Sequence, residues 1–369
     1  MTRARDLANF ADGTIGDVSG NLTGNVTGAI NGLTPQASNM QPFNRIINGA
    51  MTVDQRGSPT ISGGGDYSVD RFGNYYSGNA YTSAQSTTAP AGFANSLLLT
   101  ATTPSASPTY SFFYQMVEGL NCADLGFGTA AASTVTLSFW VRASVTGVYS
   151  IAIGNAGTPR RAYAVQYTIN AANTWEQKTM TVAGDTTGTW LTTNGIGLFL
   201  RWNMGTSSAN RLISAGSWQA VNADGATGST GANTWANTSG ATFYITGVQL
   251  EAGSTASPFA HENVGDTLQK CYRYYYYAGV SQGAGYQDGS TNIQATFTTP
   301  VPMRATPALT TSGSTYIWRH NGYGNQSSPS NTINNYSGCS LLFTITGYSG
   351  GANGYIANWY SVITCSAEL

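Results

Sequence analysis

Hydrophobic and polar residues alternate along several short segments of the chain, most clearly over Ser133–Ala143. Within that segment Val135, Leu137, Phe139 and Val141 occupy every second position. A period of two is typical of an antiparallel strand that buries one face and leaves the other in solvent. We therefore predict a half-buried β-strand here.

Seven further segments between residues 43 and 260 are predicted as strands, each bounded by Gly, Pro, Asn or Ser. They are Asn95–Thr100, Ser111–Val117, Gly147–Ile153, Arg161–Ile169, Trp175–Val182, Gly195–Trp202 and Ala241–Leu250. Many short strands without a strong helical pattern between them indicate an all-β protein. We predict a jelly-roll-like β-sandwich over residues 43–260.

The pattern changes after residue 260. A short helix is predicted over Gly265–Cys271, and the tyrosine-rich run Tyr272–Tyr277 follows it. Further strands are predicted near Asn292–Thr298, Ala308–Ser312, Tyr316–Arg319, Ser340–Thr346 and Tyr355–Thr364. We predict a second, smaller β domain over residues 261–369.

The tyrosine run Tyr272–Tyr277 has two possible roles. It could be an aromatic surface that contacts a receptor, or an interface packed between parts of the protein. Aromatic residues are enriched in packed interfaces. We favour the interface, with one face in the smaller domain and the other against the sandwich or a sister chain.

A period of four residues, rather than two, occupies the segment from residue 16 to residue 32. Glycine recurs at every fourth position, and Val18, Leu22, Val26 and Ile30 stand midway between the glycines. One apolar side chain per four residues cannot form a core within a single chain, and each glycine costs a helix about 1 kcal/mol relative to alanine. A flexible linker would not require regular apolar spacing. The repeat therefore favours an N-terminal oligomeric stalk, in which these four residues contact neighbouring copies.

Composition limits the classes of partner. Only 8% of residues are charged, the net charge is −1, and no basic cluster is present, which argues against nucleic acid. No apolar run approaches the roughly 20 residues of a membrane span, and the first residues lack the apolar core of a signal peptide. A chain rich in Gly, Ser, Thr and Asn is typical of proteins that work on an outer surface. We expect a virion component that is assembled in the host cytoplasm and released by lysis.

The sequence offers little catalytic chemistry. Its two histidines, His261 and His320, are too few for an extended acid–base or metal site, and metal and phosphate-binding motifs are absent. The segment Gly347–Gly351 fits the G-x-S-x-G pattern of hydrolases, but a chance match is expected in a chain so rich in Gly and Ser. We predict that the protein is not an enzyme and uses no cofactor or metal.

Pairs of carboxylates are a possible catalytic feature, because glycosidases use two carboxyl groups at a set separation. The candidates are Asp66 with Asp70, and Glu118 with Asp124. We interpret Asp70 instead as a partner of Arg71 in a structural ion pair.

Carbohydrate binding fits the residue types better, because the C–H faces of sugars stack on aromatic rings. Trp140, Trp218 and Trp235 are candidates, although a tryptophan in a sandwich is more often part of the core. Arg319 and Tyr323 are further candidates, since they fall in a segment whose Gly and Asn residues predict an exposed loop.

Several passages resemble phage tail-fibre and virion-surface proteins. They are Asn44–Met51, Asp54–Arg56, Asp70–Phe72, Leu137–Ser144, Asn173–Lys178, Gly184–Trp190 and Phe243–Gly253, together with the glycine-rich repeat. The order of the motifs Ser-Phe-Trp-Val-Arg-Ala-Ser, Trp-Glu and Phe-Tyr-Ile-Thr-Gly-Val-Gln-Leu-Glu is similar to family 4/9-type carbohydrate-binding modules.

The resemblance implies a homotrimeric tail fibre that binds a glycan on the host surface. Residues 1–42 would then be an anchor and stalk that contacts other virion proteins. The alternative is a trimeric decoration protein of the capsid, a head fibre, whose N-terminal segment grips the shell.

We expect the double substitution Leu22→Asp and Val26→Asp to weaken trimer assembly, because it places charge where apolar side chains of neighbouring copies should meet. Sedimentation velocity measures the outcome. Asn21→Asp with Asn25→Asp adds the same charge at polar positions of the repeat and should leave the trimer intact. A trimer unchanged by the first pair would contradict the stalk.

Overall fold

The computed structural model describes residues 44–57, 59, 61–208, 214–221, 234–287, 292–319, 322–326, 330–346 and 356–369. Residues 42–369 form one compact unit. The glycine-rich repeat, with Val18, Leu22, Val26 and Ile30, lies outside the described residues, so the stalk stays a prediction.

The described residues are mostly β-strand. The strands are β1 (Gly64–Tyr67), β2 (Gly73–Ser77), β3 (Ala80–Ser86), β4 (Ser96–Thr103), β5 (Tyr110–Glu118), β6 (Val135–Ala143), β7 (Gly147–Gly154), β8 (Arg161–Ile169), β9 (Glu176–Val182), β10 (Ile196–Asn203), β11 (Trp218–Ala220), β12 (Thr242–Ala252), β13 (Tyr275–Gln287), β14 (Ile293–Thr298), β15 (Ala308–Arg319), β16 (Gly322–Gln326), β17 (Ser330–Ser337), β18 (Ser340–Thr346) and β19 (Ile356–Ser366). One α-helix, α1 (Val264–Tyr272), and three single-turn 3₁₀ helices (Gly119–Asn121, Ala123–Leu125 and Trp235–Asn237) complete the described elements.

The strands form three antiparallel sheets. The first sheet has the order β1-β2-β5-β10-β7-β8-β11, the second β3-β4-β12-β6-β9, and the third β16-β15-β19-β13-β14-β18-β17. The first two sheets face each other across one hydrophobic core, and the third sheet has a core of its own. The predicted all-β class, with a β-sandwich followed by a smaller β domain, is confirmed. The exact boundary at residue 260 stays a prediction.

Aromatic side chains fill the centre of the sandwich. Phe113 of β5 and Trp202 of β10 stack with ring centroids 5.0 Å apart, and both side chains are fully buried. Phe139 and Phe243 reach this pair from the second sheet, at 6.2 Å from Trp202 and 5.7 Å from Phe113. The every-second-residue pattern of Val135–Ala143 places Phe139 in this core, as the alternation predicts.

The ends of most predicted sandwich strands lie within three residues of the observed ends, and Arg161–Ile169 matches at both ends. In the third sheet, Ser340–Thr346 also matches at both ends. The segments Ala308–Ser312 and Tyr316–Arg319, predicted as two strands, are one strand, β15. Its pairing with β19 shifts register between Ser312 and Tyr316. An irregularity of this kind keeps a strand continuous while breaking its side-chain alternation, which is why the sequence pattern divides it.

The helix predicted over Gly265–Cys271 is confirmed as α1. The Asn263 side chain accepts a hydrogen bond from the Gly265 amide at 2.9 Å and caps the first turn. Lys270 in the last turn has the favourable sign for the helix C-terminus. None of the described helices is long and apolar enough to cross a lipid bilayer.

The tyrosine run after α1 is a packed interface, as predicted. Tyr274 is fully buried, and its hydroxyl donates to Glu118 of β5 at 2.7 Å. Tyr275 lies under the Arg56 guanidinium, 3.5 Å from its ring centroid. Tyr276 packs instead on the core of the third sheet. Tyr274 and Tyr275 therefore contact the sandwich, and Tyr276 packs against the third sheet.

A cluster of buried charges, which we term the junction, ties the residues after β19 to the sandwich. Glu368 pairs with Arg71 and with Arg56, the latter at 2.9 Å. Arg56 also pairs with Asp70 at 3.2 Å. Each of these side chains is at most 9% exposed. The predicted pair of Asp70 with Arg71 is wrong, because adjacent residues diverge here: Asp70 meets Arg56 and Arg71 meets Glu368.

Glu118, at the end of β5, forms a further ion pair across the same boundary, in which the carboxylate is buried and the Arg273 side chain is 33% exposed. Arg273 donates to it through Nε at 2.9 Å, and the Glu118 side chain is 1% exposed. Burial opposes ionisation of this carboxyl, but the hydrogen bonds from Arg273 and Tyr274 outweigh burial and hold its pKa below the usual range. Glu118 is therefore a structural carboxylate. Asp124, the other member of the candidate carboxylate pair, forms an ion pair with Arg45 at 2.8 Å.

Glu118→Gln should lower the free energy of unfolding by about 2–3 kcal/mol, because it removes the buried charged acceptor of Arg273 and of the buried Tyr274 hydroxyl. Denaturant unfolding at pH 7 measures this loss. Glu262→Gln is the matched control, since its pair with Lys270 is 34% and 43% exposed. Surface pairs contribute about 1 kcal/mol or less. Equal losses in the two variants would contradict the assigned role of Glu118.

The junction also contains a carboxyl group with a raised pKa, that of Asp70. Burial raises the pKa of Asp70 from 3.8 to about 6, against the opposing effects of Arg56 and Gln55. Between these two pH values the folded protein holds a proton that the unfolded chain releases. The contribution of Asp70 to stability is therefore full below pH 3.8 and is lost as the pH rises through 6.

Asp70→Asn should remove this pH dependence. Relative to the variant, the wild-type protein should lose about 2–3 kcal/mol of unfolding free energy between pH 4 and pH 7. Denaturant titrations of both proteins at unit pH steps give the difference, in which the other carboxyl groups cancel. A difference that stays constant over this range would contradict the raised pKa.

Candidate functional site

Strand β5 presents apolar side chains on both of its faces. Phe113 and Val117 point into the sandwich core. Because side chains alternate along a strand, Phe112, Tyr114 and Met116 lie on the opposite, outer face of the first sheet. The outer face of the first sheet therefore carries aromatic residues along β5.

An open cleft of about 320 Å³ lies over this face. Its lining residues come from the first sheet and the loops beside it. They are Gly65, Tyr75, Tyr110, Phe112, Tyr114, Met116, Arg160 and Arg201. The strand order brings β2, β5 and β10 side by side, so residues far apart in sequence share this one surface.

The aromatic rings of the cleft support one another. Tyr75 stacks on Phe112 with ring centroids 5.4 Å apart and an angle of 17° between the planes. Tyr110 meets Tyr75 edge-on at 5.5 Å. Stacking covers one face of the Tyr75 ring, and the residue remains 37% exposed. Tyr75 therefore offers an apolar ring surface to a ligand in the cleft.

Tyr114 requires a glycine on the neighbouring strand. Gly73 lies opposite Tyr114 in the pairing of β2 with β5. A Cβ atom at residue 73 would stand 2.3 Å from Tyr114 Cζ. The missing side chain thus lets the Tyr114 ring lie flat across β2. Burial raises the pKa of Tyr114, so its hydroxyl stays protonated at neutral pH.

Two arginines stand at the cleft. Arg201 lies opposite Tyr114 in the pairing of β10 with β5. Its guanidinium carbon is 5.1 Å from the Phe112 ring centroid and 4.3 Å from that of Phe199. Arg160 precedes β8, and its carbonyl accepts a hydrogen bond from the Val221 amide at 2.9 Å.

The described lining of the cleft combines tyrosine and phenylalanine rings, phenol hydroxyls and guanidinium groups, and none of its described residues is Asp, Glu, His or Cys. Across the described part of the chain, no three His, Cys, Asp or Glu side chains are grouped so that they could hold a metal ion.

Trp140 lies on a different sheet from the cleft. It stands on β6 opposite Thr246, on the outer face of the second sheet, and is half-buried. Its neighbours in sequence, Phe139 and Val141, are fully buried in the core. Its assignment to the polar face agrees with this position, and its role in glycan binding stays a prediction.

Trp218 packs in an aromatic cluster at the edge of the first sheet. Its ring centroid is 5.5 Å from Trp190 and 5.9 Å from Phe127. Its Nε1–H donates to the Ala183 carbonyl at 2.7 Å. The side chain is half-buried, and these contacts hold it in place. Its proposed contact with a glycan stays a prediction.

Trp235 is a core residue. It lies in a 3₁₀ turn, is fully buried, and packs edge-on against Tyr81 with ring centroids 5.8 Å apart. A fully buried ring has no face for a sugar, so its candidacy as a glycan contact is corrected. The Gly-, Ser- and Thr-rich sequence around Trp235 predicts a surface loop, yet a single large apolar side chain in such a loop can still anchor it to the core.

The candidates Arg319 and Tyr323 belong to the third sheet. Arg319 ends β15, and Tyr323 lies in β16 opposite Trp318. The predicted loop over residues 319–326 is therefore corrected to the end of one strand and the start of the next. Gly and Asn residues can enter a strand because its ladder is made by backbone groups. A role of either side chain in ligand binding stays a prediction.

The sequence did not predict the cleft. The three tryptophan candidates, Trp140, Trp218 and Trp235, are not among its described lining residues. The available signal was in Tyr110–Met116, where every even-numbered position is aromatic or methionine and Phe113 places an aromatic residue on the opposite face. A strand with two apolar faces in a sandwich must expose one face or cover it. The residue Tyr75 had no comparable signal, because its neighbours on β5 are set by strand order.

No protein-family model matches the chain, and no curated protein matches it in sequence. Among solved structures, it is similar to the enzymatically active domain of tailspike protein 4 from bacteriophage CBA120, with 13% identity and a TM-score of 0.34. That alignment covers 57% of this chain and 21% of the tailspike chain.

Two sugar-related structures are also similar to parts of the chain. One is a putative sugar binding protein from Bacteroides thetaiotaomicron, with 9% identity, a TM-score of 0.34, and coverage of 57% of this chain and 100% of that protein. The other is a family 4 carbohydrate-binding module, with 17% identity, a TM-score of 0.28, and coverage of 56% and 98% respectively.

Proposed function

We propose that this chain is a non-catalytic glycan-binding protein and that the cleft on the first sheet is its binding site. The observation that carries the proposal is the described lining of the cleft, which presents exposed aromatic ring surface beside guanidinium groups and has no carboxylate among its described residues. Ligand sites are commonly concave, largely apolar, and supplied with a few polar groups that fix orientation.

The geometry suits a saccharide in particular. Sugar rings carry flat C–H faces that pack on aromatic rings, and hydroxyl groups at their edges. Tyr75 offers the ring face, and the Arg201 guanidinium lies beside it among the lining residues. The open form of the cleft would let a polysaccharide enter along its length rather than only at a chain end.

We further propose that the protein is a homotrimeric tail fibre of a phage virion. The glycine-rich repeat supports trimerisation, and the resemblance of the sequence motifs to phage fibre proteins supports the virion assignment. Residues 1–42 would contact other virion proteins. A trimer presents three clefts, and tethering sites in this way can raise avidity by roughly 10²–10⁴. Binding of residues 1–42 to a capsid protein rather than a tail protein would favour the head-fibre alternative.

Tyr75→Ala should weaken glycan binding at least tenfold, because it removes the exposed ring from the cleft while leaving the core intact. Binding of the full chain to a microarray of bacterial surface polysaccharides, followed by calorimetry on the best ligand, measures the effect. The recovered polysaccharide should be unchanged in length.

Tyr277→Ala is the matched control, since Tyr277 is a 48% exposed tyrosine on β13, away from the cleft. It should bind like the wild-type protein. Wild-type affinity in the Tyr75 variant, or an equal loss in both variants, would place the binding site elsewhere. Shortening of the polysaccharide that depends on an Asp or Glu would overturn the non-catalytic assignment.

A further inference from the structure

We infer that copies of this chain meet through one surface of the third sheet, the outer face of strand β13. We term this surface the strip and define it by four residues that point away from the core of the third sheet: Val280, Gln282, Ala284 and Tyr286. All four side chains are exposed, Val280 by 59% and Tyr286 by 55%. The inference rests on the proposed homotrimer and names a surface that holds it together.

Strand β13 carries its large side chains on the solvent side and its glycines on the core side. Gly283 lies opposite Trp359, and a Cβ atom at residue 283 would stand 2.9 Å from Trp359 Nε1. At Gly285 a Cβ atom would stand 2.6 Å from Ile293 Cγ2. In an antiparallel sheet with one buried face, apolar side chains normally point inward and polar ones outward. The reversed arrangement indicates that the outer face is also built for contact.

A bulge in β13 produces this reversal. The pairing of β13 with β19 shifts register between Tyr277 and Gly279, and Gly279 has a φ of 60°. Tyr277 points outward, so a regular strand after it would turn Val280 and Tyr286 toward the core. The extra residue of the bulge reverses the alternation and turns both of them outward. The exposure of the strip is therefore a consequence of a specific backbone feature.

The strip is suited to meet a copy of itself. None of its four residues is charged, and Val362 of β19 lies opposite Val280 and extends the apolar surface. In a symmetric assembly each residue recurs once per copy, so a charged surface would face its own charge across the contact. Interface cores are accordingly depleted of charged residues and enriched in aromatic ones such as tyrosine.

A second copy is the occupant that the sequence supports. The glycine-rich repeat of residues 16–32 is predicted to hold copies of the chain together. Tethered copies face one another at an effective concentration in the millimolar range when the connection is short and flexible. A surface of a few side chains then suffices for stable contact, and an exposed apolar strip on each copy would be covered.

Val280→Asp combined with Tyr286→Asp in the full-length chain should raise the dissociation constant of the trimer at least tenfold, because every copy then brings two like charges to the contact. Sedimentation equilibrium measures this constant. Thr82→Asp combined with Thr179→Asp is the matched control, since it adds the same charge at exposed strand positions of the second sheet. It should leave the constant unchanged, and thermal unfolding reports whether each variant keeps its fold.

A cross-link tests the same surface without disturbing it. Gln282→Cys, treated with a short bismaleimide, should give covalently joined copies of the full-length chain. Thr82→Cys should give no more than the wild-type protein, whose own four cysteines set the background. This measurement decides the question if the aspartate variant does not fold.

The outcomes separate the strip from the proposed trimer. A wild-type protein that sediments as a monomer at all concentrations would overturn both. A trimer that the folded aspartate variant leaves unchanged would overturn the strip and leave a trimer held by the stalk, and absence of cross-links at residue 282 would do the same. Weaker glycan binding by the aspartate variant with an unchanged trimer would overturn the inference by placing a ligand, rather than a second copy, on the strip.

Discussion

The fold depends on the contact of one carboxylate with two arginines. Glu368 lies between Arg71 and Arg56, and all three side chains are at most 9% exposed. Removing charges from water costs several kcal/mol per ion, so such groups are stable only when their partners are fixed. The residues after β19 must therefore return to the sandwich. Hydrogen bonds from the Ala367 amide to the Tyr274 carbonyl, at 2.7 Å, and from Arg304 to the Ala367 carbonyl, at 2.9 Å, hold them there.

The same contacts extend to the candidate cleft. Arg71 donates to the carbonyl of Met116 at 2.6 Å, and Met116 is a lining residue of the cleft on β5. Tyr67 packs edge-on against Tyr114 at 5.9 Å, while its hydroxyl donates to the Leu369 carbonyl at 3.1 Å. The residues after β19 are thus linked, through Arg71 and Tyr67, to residues that line one wall of the cleft. A site supported by buried, hydrogen-bonded neighbours is pre-organised for binding, which lowers the entropy cost of capturing a flexible polymer.

Local patterns predicted local structure well. The predicted strand Arg161–Ile169 has both observed boundaries, and α1 extends one residue beyond each end of the predicted segment Gly265–Cys271. Non-local features were harder. The adjacent residues Asp70 and Arg71 were expected to pair with each other. In the fold, Asp70 pairs with Arg56 and Arg71 pairs with Glu368. Trp235 lies in a polar, glycine-rich segment and is nevertheless fully buried. Neither outcome has a signal within a window of a few residues.

The sequence by itself determined the β class, most strand positions, the helix and the interface role of the tyrosine run. Each of these features depends on side-chain periodicity, capping residues or composition, which are local properties of the chain. Only the tertiary structure decided where a ligand could bind. Tyr75, Phe112 and Arg201 lie on three strands from distant parts of the chain, and they meet because β2, β5 and β10 are neighbours in the first sheet. Strand order is fixed by the packing of whole sheets and by the buried charges of the junction, and no short stretch of sequence encodes it.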